Sequence, residues 1–280
     1  MFFFFDQPQE CYLAYFDILG YKSFFESKDF DASTFFDTIN SALEDVKKGI
    51  NIESSLNHID IKYRVYSDNF LFYIEDNDNE QQALIALSRL VSLIQKRLLE
   101  KYSLLIRGGI TKGDFRFNKE LIFGKGLIDV YTLESTKAIY PRVIFSNDTF
   151  VKDTLEYLKN EGFIEKDEDG YYYVQFLYQT GTEVSYEILA RNITKLVNIN
   201  CRYKNLTDTK KIAEKEKLIT KYLWLVTRFN SYATNTTCKI GYDISVNPRV
   251  LKFEIKSKVV SVQKINVNNL ENVLLANSAV

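Results

Sequence analysis

The sequence predicts an α+β fold, in which helices pack on a β-sheet. Apolar stretches of strand length and amphipathic stretches of helical length follow one another in the order βαββαββ, with a further helix and strand after them. The 280 residues are 46% hydrophobic and include 11 Gly and 3 Pro. A chain of this composition builds a sizeable core and has little room for long flexible linkers, so it belongs to the globular class.

The first predicted strand covers residues 11–19 and ends near Gly20. An amphipathic helix follows, with Asp31 or Ser33 as its N-cap and Gly49 at its end. The apolar residues of this helix recur at helical spacing: Phe35, Phe36, Ile39, Leu43 and Val46.

The segment HIDIKYRVYSDNFLFYIED predicts a β-hairpin, because strand-like residues lie on both sides of the turn sequence Ser67-Asp68-Asn69. Residues from Glu80 to Tyr102 predict a helix with one apolar stripe. The next segment, SLLIRGGITKGDF, predicts a strand that runs into a glycine-punctuated turn. A short strand, a break at Gly124 and Gly126 and the start of a helix are then predicted by ELIFGKGLIDVYTLEST. Another strand is predicted by PRVIFS.

The character of the sequence changes near residue 150, so we expect a first domain at 1–150 and a C-terminal α/β extension at 151–280. The extension predicts a helix, a hairpin around Asp169-Gly170, two longer helices and a β-like segment: 148–163, 163–179, 183–200, 207–232 and 242–267.

Charge and cysteine content exclude several classes of protein. The 36 basic and 37 acidic residues give a net charge of −1, which predicts no nucleic-acid partner and no attraction to an anionic membrane. No apolar run approaches the ~18 residues of a membrane span, so direct membrane insertion is not expected. Three cysteines without CxxC spacing suggest neither a disulfide framework nor a zinc site, and fit a cytoplasmic protein.

Asp17 is the first candidate functional residue, because an ionised carboxylate in an apolar strand is costly unless something pairs with it. Asp68 lies at the tip of the predicted hairpin, and in a βαββ layout this tip can meet the end of the first strand. Two aspartates and a backbone carbonyl, such as that of Ile18, form an oxygen site suited to Mg²⁺ or Mn²⁺. The alternatives are a structural aspartate that accepts backbone hydrogen bonds and an ordinary turn residue.

The turn after Asp17 predicts a phosphate-binding segment. ILGYKSF enters a helix whose free N–H groups would face phosphates bound beside the aspartates. The candidate substrate-binding residues of this turn are Ile18, Leu19, Gly20 and Tyr21.

These segments resemble those of a known family. AYFDILGYKSFF is similar to the opening motif of class III nucleotidyl cyclases, and IKYRVYSDNFLFYIE resembles their second metal hairpin, with Ser67-Asp68 where the family usually has Gly-Asp. The later strands of the cyclase domain are resembled, in the same order, by LLIRGGITKGDF, FGKGLIDVYTLES and PRVIFS. The likeness therefore covers residues 10–147. Within the family, the chain looks most like the bacterial pyrimidine cyclases of Pycsar anti-phage systems, on the segments FDILGY, RGGITKG and KYLWLVTRFN.

The resemblance implies a fold and an activity. The fold would be a ferredoxin-like βαββαβ core with an antiparallel sheet, and the extension would pack on this core or shape a dimer. Asp17, Asp68 and the Ile18 carbonyl would hold two Mg²⁺ or Mn²⁺ ions, and the enzyme would convert a nucleoside triphosphate into a 3′,5′-cyclic nucleotide and pyrophosphate. It would act as a homodimer with its sites at the interface. Its product would signal to a separate effector protein in anti-phage defence.

The chain departs from the purine cyclases where the base is read. Arg64 stands where Lys reads adenine or Glu reads guanine, and Leu121 stands near the second base-reading position. UTP or CTP is therefore favoured as the substrate.

The residues that stabilise the transition state in the family also differ. Its asparagine would fall at Ile128 or Asp129 and its arginine at Thr132. Another cation must then act on the phosphate, and the candidates are Arg107 and Lys112 in RGGITKG. Otherwise the chain is a catalytically silent module that binds a nucleotide or a protein. A polymerase-like palm, which shares the βαββ frame and paired aspartates, is a third possibility.

Overall fold

A computed structural model describes residues 9–21, 31–76, 78–117, 121–177, 183–200, 209–235, 242–247 and 252–257. Within these ranges helices pack on a largely antiparallel sheet, which is the arrangement of an α+β protein and confirms the predicted fold class. The elements are β1 (Gln9–Ile18), α1 (Ala32–Asn57), β2 (Lys62–Tyr66), β3 (Asn69–Glu75), α2 (Glu80–Tyr102), β4 (Ile106–Phe117), β5 (Ile122–Phe123), α3 (Lys125–Lys137), β6 (Val143–Phe145), α4 (Lys152–Asn160), β7 (Ile164–Lys166), β8 (Tyr172–Val174), α5 (Glu183–Asn200), α6 (Thr209–Asn235), β9 (Tyr242–Asn247) and β10 (Lys252–Ser257).

The main sheet has the strand order β2-β3-β1-β4-β6-β8-β7, with β5 paired to β4. Strand β1 is central and pairs antiparallel with both β3 and β4, and β2 pairs antiparallel with β3. These four strands and the helices α1 and α2 form the ferredoxin-like βαββαβ arrangement. Strand β6 adds to β4 in parallel, and the β7–β8 hairpin extends the sheet beyond it.

The two faces of the sheet bury different sets of side chains, because successive residues of a strand point to opposite sides. One face carries Phe16 and Phe72 and packs against α1 and α2 in the larger core cluster. The other face, which we call the α3 face, carries Leu13 and Tyr73 and packs against Val130 of α3.

Helix α1 begins where the sequence predicts and ends later. The Asp31 side chain accepts a hydrogen bond from the Ser33 backbone N–H at 3.1 Å, so Asp31 is the N-cap. The predicted end at Gly49 is wrong, since the helix continues to Asn57. Gly49 instead faces α2, where an added Cβ would lie 3.1 Å from a methyl group of Leu93, so its small size serves helix packing.

Strand β4 also differs from its prediction, because it runs through its glycines to Phe117 without a turn. Gly108 lies so close to β1 that a Cβ would overlap the Tyr15 carbonyl oxygen. A glycine in the interior of a strand permits this approach of a neighbouring backbone. The glycines of β4 therefore seat the strand in the sheet.

The β7–β8 hairpin is attached to the rest of the sheet by a buried group of charges. Arg142 has no exposed surface and pairs with both Asp167 and Asp169 of the hairpin. The Arg142 carbonyl accepts a hydrogen bond from the Gly108 N–H at 3.1 Å, so the same residue also touches β4.

The chain divides into two compact units between Phe176 and Leu177. We predicted a boundary near residue 150, but the β7–β8 hairpin extends the sheet of the first unit and α4 packs against the core of that unit. The second unit contains α5, α6 and the β9–β10 hairpin, and its two helices lie close to their predicted bounds. In the described parts of both units, no helix combines the length and the hydropathy needed to cross a membrane.

Candidate active site

The end of β1 and the tip of the β2–β3 hairpin meet, as the βαββ layout predicts. Asp17 lies opposite Asn69 across the β1–β3 pair, and the Ile18 N–H donates a hydrogen bond of 3.2 Å to the Asp68 carbonyl. Asp17, near the end of β1, and Asp68, in the turn between β2 and β3, therefore lie close together at one end of the sheet, and we call this place the corner. Both side chains are partly exposed at this corner.

The hairpin turn consists of two residues, Ser67 and Asp68, between the paired residues Tyr66 and Asn69. Ser67 has a φ of 58°, in the left-handed region that glycine adopts most readily. This backbone turn fixes the place of Asp68 at the tip, directly beside the end of β1.

Asn69 links Asp68 to Tyr15 on the α3 face. Its side-chain amide donates to Asp68 Oδ1 at 3.2 Å, and its carbonyl oxygen accepts from the Tyr15 hydroxyl at 2.5 Å. Burial, together with Tyr66 and the charge of Glu134, raises the pKa of Tyr15 above its ordinary value. The Tyr15 phenol therefore stays protonated and remains a donor, and this orients the Asn69 amide.

Asp17 pairs with Arg107, which lies directly opposite it on β4. The Arg107 Nε and Nη2 atoms each lie 3.2 Å from one Asp17 oxygen, and Nη2 also lies 2.8 Å from Glu134 Oε1. Burial disfavours the charged guanidinium, but the hydrogen bond to Asp17 and the charges of both carboxylates outweigh it and raise the pKa of Arg107. Arg107 is thus a permanent cation held between two carboxylates.

Helix α3 brings Glu134 to this corner because it packs very close to the sheet. A Cβ on Gly109 would lie 2.8 Å from a Leu133 methyl group, and one on Gly126 would lie 3.0 Å from the Gly113 backbone. Glycine on both elements lets α3 approach β4, and Glu134 becomes buried at 3% exposure. Ile128 and Thr132, at the positions where the family's asparagine and arginine are expected, are exposed on the same helix.

The other two predicted cations lie at different places. Arg64 is on the α3 face of β2 and lines a shallow groove with Lys62, Tyr73 and Phe117. Lys112 lies opposite Tyr12, farther along β4 and on the other face of the sheet, where it pairs with Asp76 at 2.5 Å. The structure therefore brings Arg107 to Asp17, whereas Lys112 does not join them.

The turn after Asp17 is partly described. The Leu19 N–H donates to the Leu105 carbonyl at 2.8 Å, Gly20 has a φ of 80°, and Tyr21 packs against the larger core. The Ile18 and Leu19 N–H groups are thus engaged in the sheet. The predicted phosphate-binding helix lies beyond Tyr21, outside the described residues.

The donor groups at this corner fit a hard divalent cation. Asp17, Asp68 and the backbone carbonyls beside them supply oxygen ligands, which Mg²⁺ and Mn²⁺ prefer. The Arg107 guanidinium pairs with both Asp17 oxygens, so this carboxylate is held against a positive charge. No group of three or more His, Cys, Asp or Glu side chains suited to a metal occurs among the described residues.

Sequence reasoning missed three side chains of this corner: Glu134, Asn69 and Tyr15. A signal existed for Glu134, because it follows Val130 at helical spacing on the face that α3 buries, and a carboxylate on such a face needs a partner. Asn69 appeared as a turn residue and Tyr15 as part of an apolar strand, so nothing in the sequence alone linked them.

Comparisons with known proteins give similar folds at low identity. No protein-family model and no curated protein matches this chain. Similar solved structures include the guanylate cyclase domain of RhGC from Catenaria anguillulae in complex with GTP (14% identity, TM-score 0.41, covering 60% of this chain and 96% of that one). An adenylate/guanylate cyclase/hydrolase from Silicibacter pomeroyi has 15% identity and a TM-score of 0.39, with coverage of 60% and 96%.

A bacterial light-regulated adenylyl cyclase has 10% identity and a TM-score of 0.42, covering 67% of this chain and 100% of that one. These three similar structures are thus an adenylyl cyclase, a guanylate cyclase domain and an adenylate/guanylate cyclase/hydrolase. At such identities and TM-scores the likeness carries no conclusion about this chain's substrate.

Proposed function

We propose that this protein is a metal-dependent nucleotidyl cyclase that converts a nucleoside triphosphate into a 3′,5′-cyclic nucleotide and pyrophosphate. The observation that carries the proposal is the meeting of β1 with the β2–β3 tip, which brings Asp17 of β1 close to Asp68 of the hairpin turn. Arg107 lies against Asp17 and is a cation close enough to act on a phosphate bound there.

The proposed reaction uses few protein groups. Asp17, Asp68 and the Ile18 carbonyl would hold two Mg²⁺ or Mn²⁺ ions, which lower the pKa of the ribose 3′-hydroxyl and screen the triphosphate charge. The 3′ oxygen attacks the α-phosphorus, the bond to the β-phosphate breaks, and pyrophosphate leaves. Arg107 would stabilise the charge that develops on the α-phosphate, in the role that the family gives to an arginine of the helix after β5.

UTP and CTP are the substrates we favour. Arg64 and Lys62 place guanidinium and ammonium donors on the α3 face, and Tyr73 and Phe117 offer aromatic rings in the same groove. Donors of this kind suit the carbonyl oxygens of a pyrimidine base. The resemblance to the Pycsar cyclases extends the proposal to a signal in anti-phage defence that a separate effector protein receives.

The test is incubation of the purified full chain with Mn²⁺ and each of the four ribonucleoside triphosphates. We expect pyrophosphate and a cyclic mononucleotide from UTP or CTP, detected by mass spectrometry. Asp17→Ala and Asp68→Ala should lower the rate by at least ~100-fold, because each removes a metal ligand. Asp153→Ala, an exposed aspartate in the first turn of α4, is the matched control and should keep the rate.

Two other functions would give a different result in this test. A silent nucleotide-binding module is favoured by the exposed Ile128 and Thr132 on α3, and it would bind a triphosphate without releasing pyrophosphate. A polymerase-like palm would give a phosphodiester between two nucleotides. Either result contradicts the cyclase.

A further inference from the structure

We propose that Arg107 is a built-in cation that occupies Asp17 in the metal-free protein, and that Glu134 positions Arg107 so that a metal ion can replace it. The inference rests on the proposed function, because it assigns Asp17 to a metal site. It adds a role for Glu134, which would act through Arg107 as a positioning residue and would not itself touch metal or substrate.

The geometry shows a guanidinium shared by two unequal carboxylates. Arg107 makes a two-pronged contact with Asp17, and its Nη2 atom also lies nearer, at 2.8 Å, to Glu134. The Asp17 side chain keeps 20% of its surface exposed, whereas that of Glu134 keeps 4%. An ion arriving from solvent can therefore reach Asp17, whereas Glu134 lies buried beneath the Arg107 guanidinium, whose side chain keeps 25% of its surface exposed.

Glu134 determines how much free energy it costs for a metal ion to replace Arg107 as the partner of Asp17. A divalent ion on Asp17 withdraws that carboxylate from Arg107 and leaves a partly buried guanidinium in need of a negative partner. Among the described contacts of Arg107, Glu134 is the carboxylate that remains for it. With glutamine in place of Glu134, Asp17 would be the one carboxylate left in contact with Arg107 among these contacts, and Arg107 would compete more strongly with the metal ion for Asp17.

Two substitutions should therefore change metal affinity in opposite directions. Arg107→Met removes the competing cation and should tighten Mn²⁺ binding by about tenfold, which corresponds to about 1.4 kcal/mol. Glu134→Gln leaves the competitor with one carboxylate and should weaken Mn²⁺ binding by a similar factor, about tenfold. A purely structural role for either residue would weaken binding in both variants.

The experiment is a titration of the purified full chain with Mn²⁺ alone, in which electron paramagnetic resonance reports the free ion without any nucleotide or turnover. The double variant R107M/E134Q should bind Mn²⁺ like R107M, since Glu134 acts through Arg107. The double variant also removes both charges together. It can therefore still be measured if E134Q alone folds poorly because the partly buried Arg107 has lost a carboxylate partner. Arg116→Met, an arginine of the same strand near Asp114, is the matched control and should leave binding unchanged.

Two results would overturn the inference, and they are distinguishable. If Asp17→Asn abolishes Mn²⁺ binding but R107M and E134Q bind like the original protein, the metal site stands and the exchange is wrong. If neither the original protein nor R107M binds Mn²⁺, the metal site and the proposed cyclase fail as well. Binding by R107M alone would support the exchange, because it would mean that Arg107 keeps the ion out.

Discussion

Arg107 lies directly opposite Asp17 because of the register of β1 and β4, and Glu134 of α3 lies against the same guanidinium. The charges of the site therefore come from three different elements. At the scale of single residues, Asp17 stands out in the sequence because it interrupts an apolar strand, and Asp68 because it occupies a hairpin tip. The pairing of Arg107 follows only from the strand register, and the burial of Glu134 depends on which face of α3 packs on the sheet.

Cys11 gives a prediction at the same scale. Burial, with a further contribution from the charge of Glu75, raises the pKa of the Cys11 thiol to about 12. The thiolate is the reactive form, so iodoacetamide at pH 8 should leave Cys11 unmodified in the folded protein and modify it after urea is added. Mass spectrometry of the Cys11 peptide checks this, and rapid labelling without urea would contradict it.

The same shift fixes the sign of a pH effect. The thiol ionises near pH 9.0 in the unfolded chain and near 12 in the folded protein, so between these values the unfolded chain binds fewer protons. The contribution of Cys11 to the free energy of unfolding is therefore full below pH 9 and falls as the pH rises toward 12.

At the scale of elements, glycines account for the largest differences between sequence and structure. The sequence predicts a glycine-punctuated turn within SLLIRGGITKGDF and a helix end at Gly49, as local propensity favours. Each glycine instead lies where another element comes close: β1 at Gly108, α3 at Gly109 and α2 at Gly49. Such contacts join residues far apart in the chain, so local patterns do not reveal them.

Two alanine substitutions in β4 test this account. At Gly108 the new Cβ meets the Tyr15 backbone, whereas at Gly109 it meets the Leu133 side chain, which can move. We expect Gly108→Ala to lower the free energy of unfolding by about 3 kcal/mol and Gly109→Ala by about 1 kcal/mol. Urea denaturation measures both, and equal losses would show that the backbone approach at Gly108 is not what matters.

At the scale of the whole molecule, the order of helices and strands along the first unit was predictable and the extent of its sheet was not. The residue patterns predict the order of elements, and the family resemblance implies the ferredoxin-like βαββαβ core, but β8 joins the ladder of β6 through the single residue pair Ile144 and Tyr173. A contact of that size leaves no pattern in the sequence, which is why the predicted boundary fell near residue 150.

The assembly of two chains is a prediction at this scale. Ile128 and Tyr131 of α3 are 66% and 55% exposed, and the Tyr131 ring packs edge-on against Tyr15 beside the site. If this surface forms the expected homodimer, Ile128→Asp should convert the dimer into monomers and abolish cyclase activity. Ile139→Asp, also at an exposed apolar residue but beyond the end of α3, should stay dimeric. Sedimentation velocity distinguishes these outcomes, and a dimeric Ile128→Asp protein would place the interface elsewhere.

The charges at the end of β1 also bear on the order in which ligands arrive. Among the described residues of this corner, the carboxylates of Asp17, Asp68 and Glu134 outnumber the guanidinium of Arg107, so these residues together are negative. A bare triphosphate, itself strongly anionic, is repelled from such a corner, whereas a divalent ion is attracted. Nucleotide would therefore enter after a metal ion or together with one, and Arg107, once released from Asp17, would turn to the incoming phosphate.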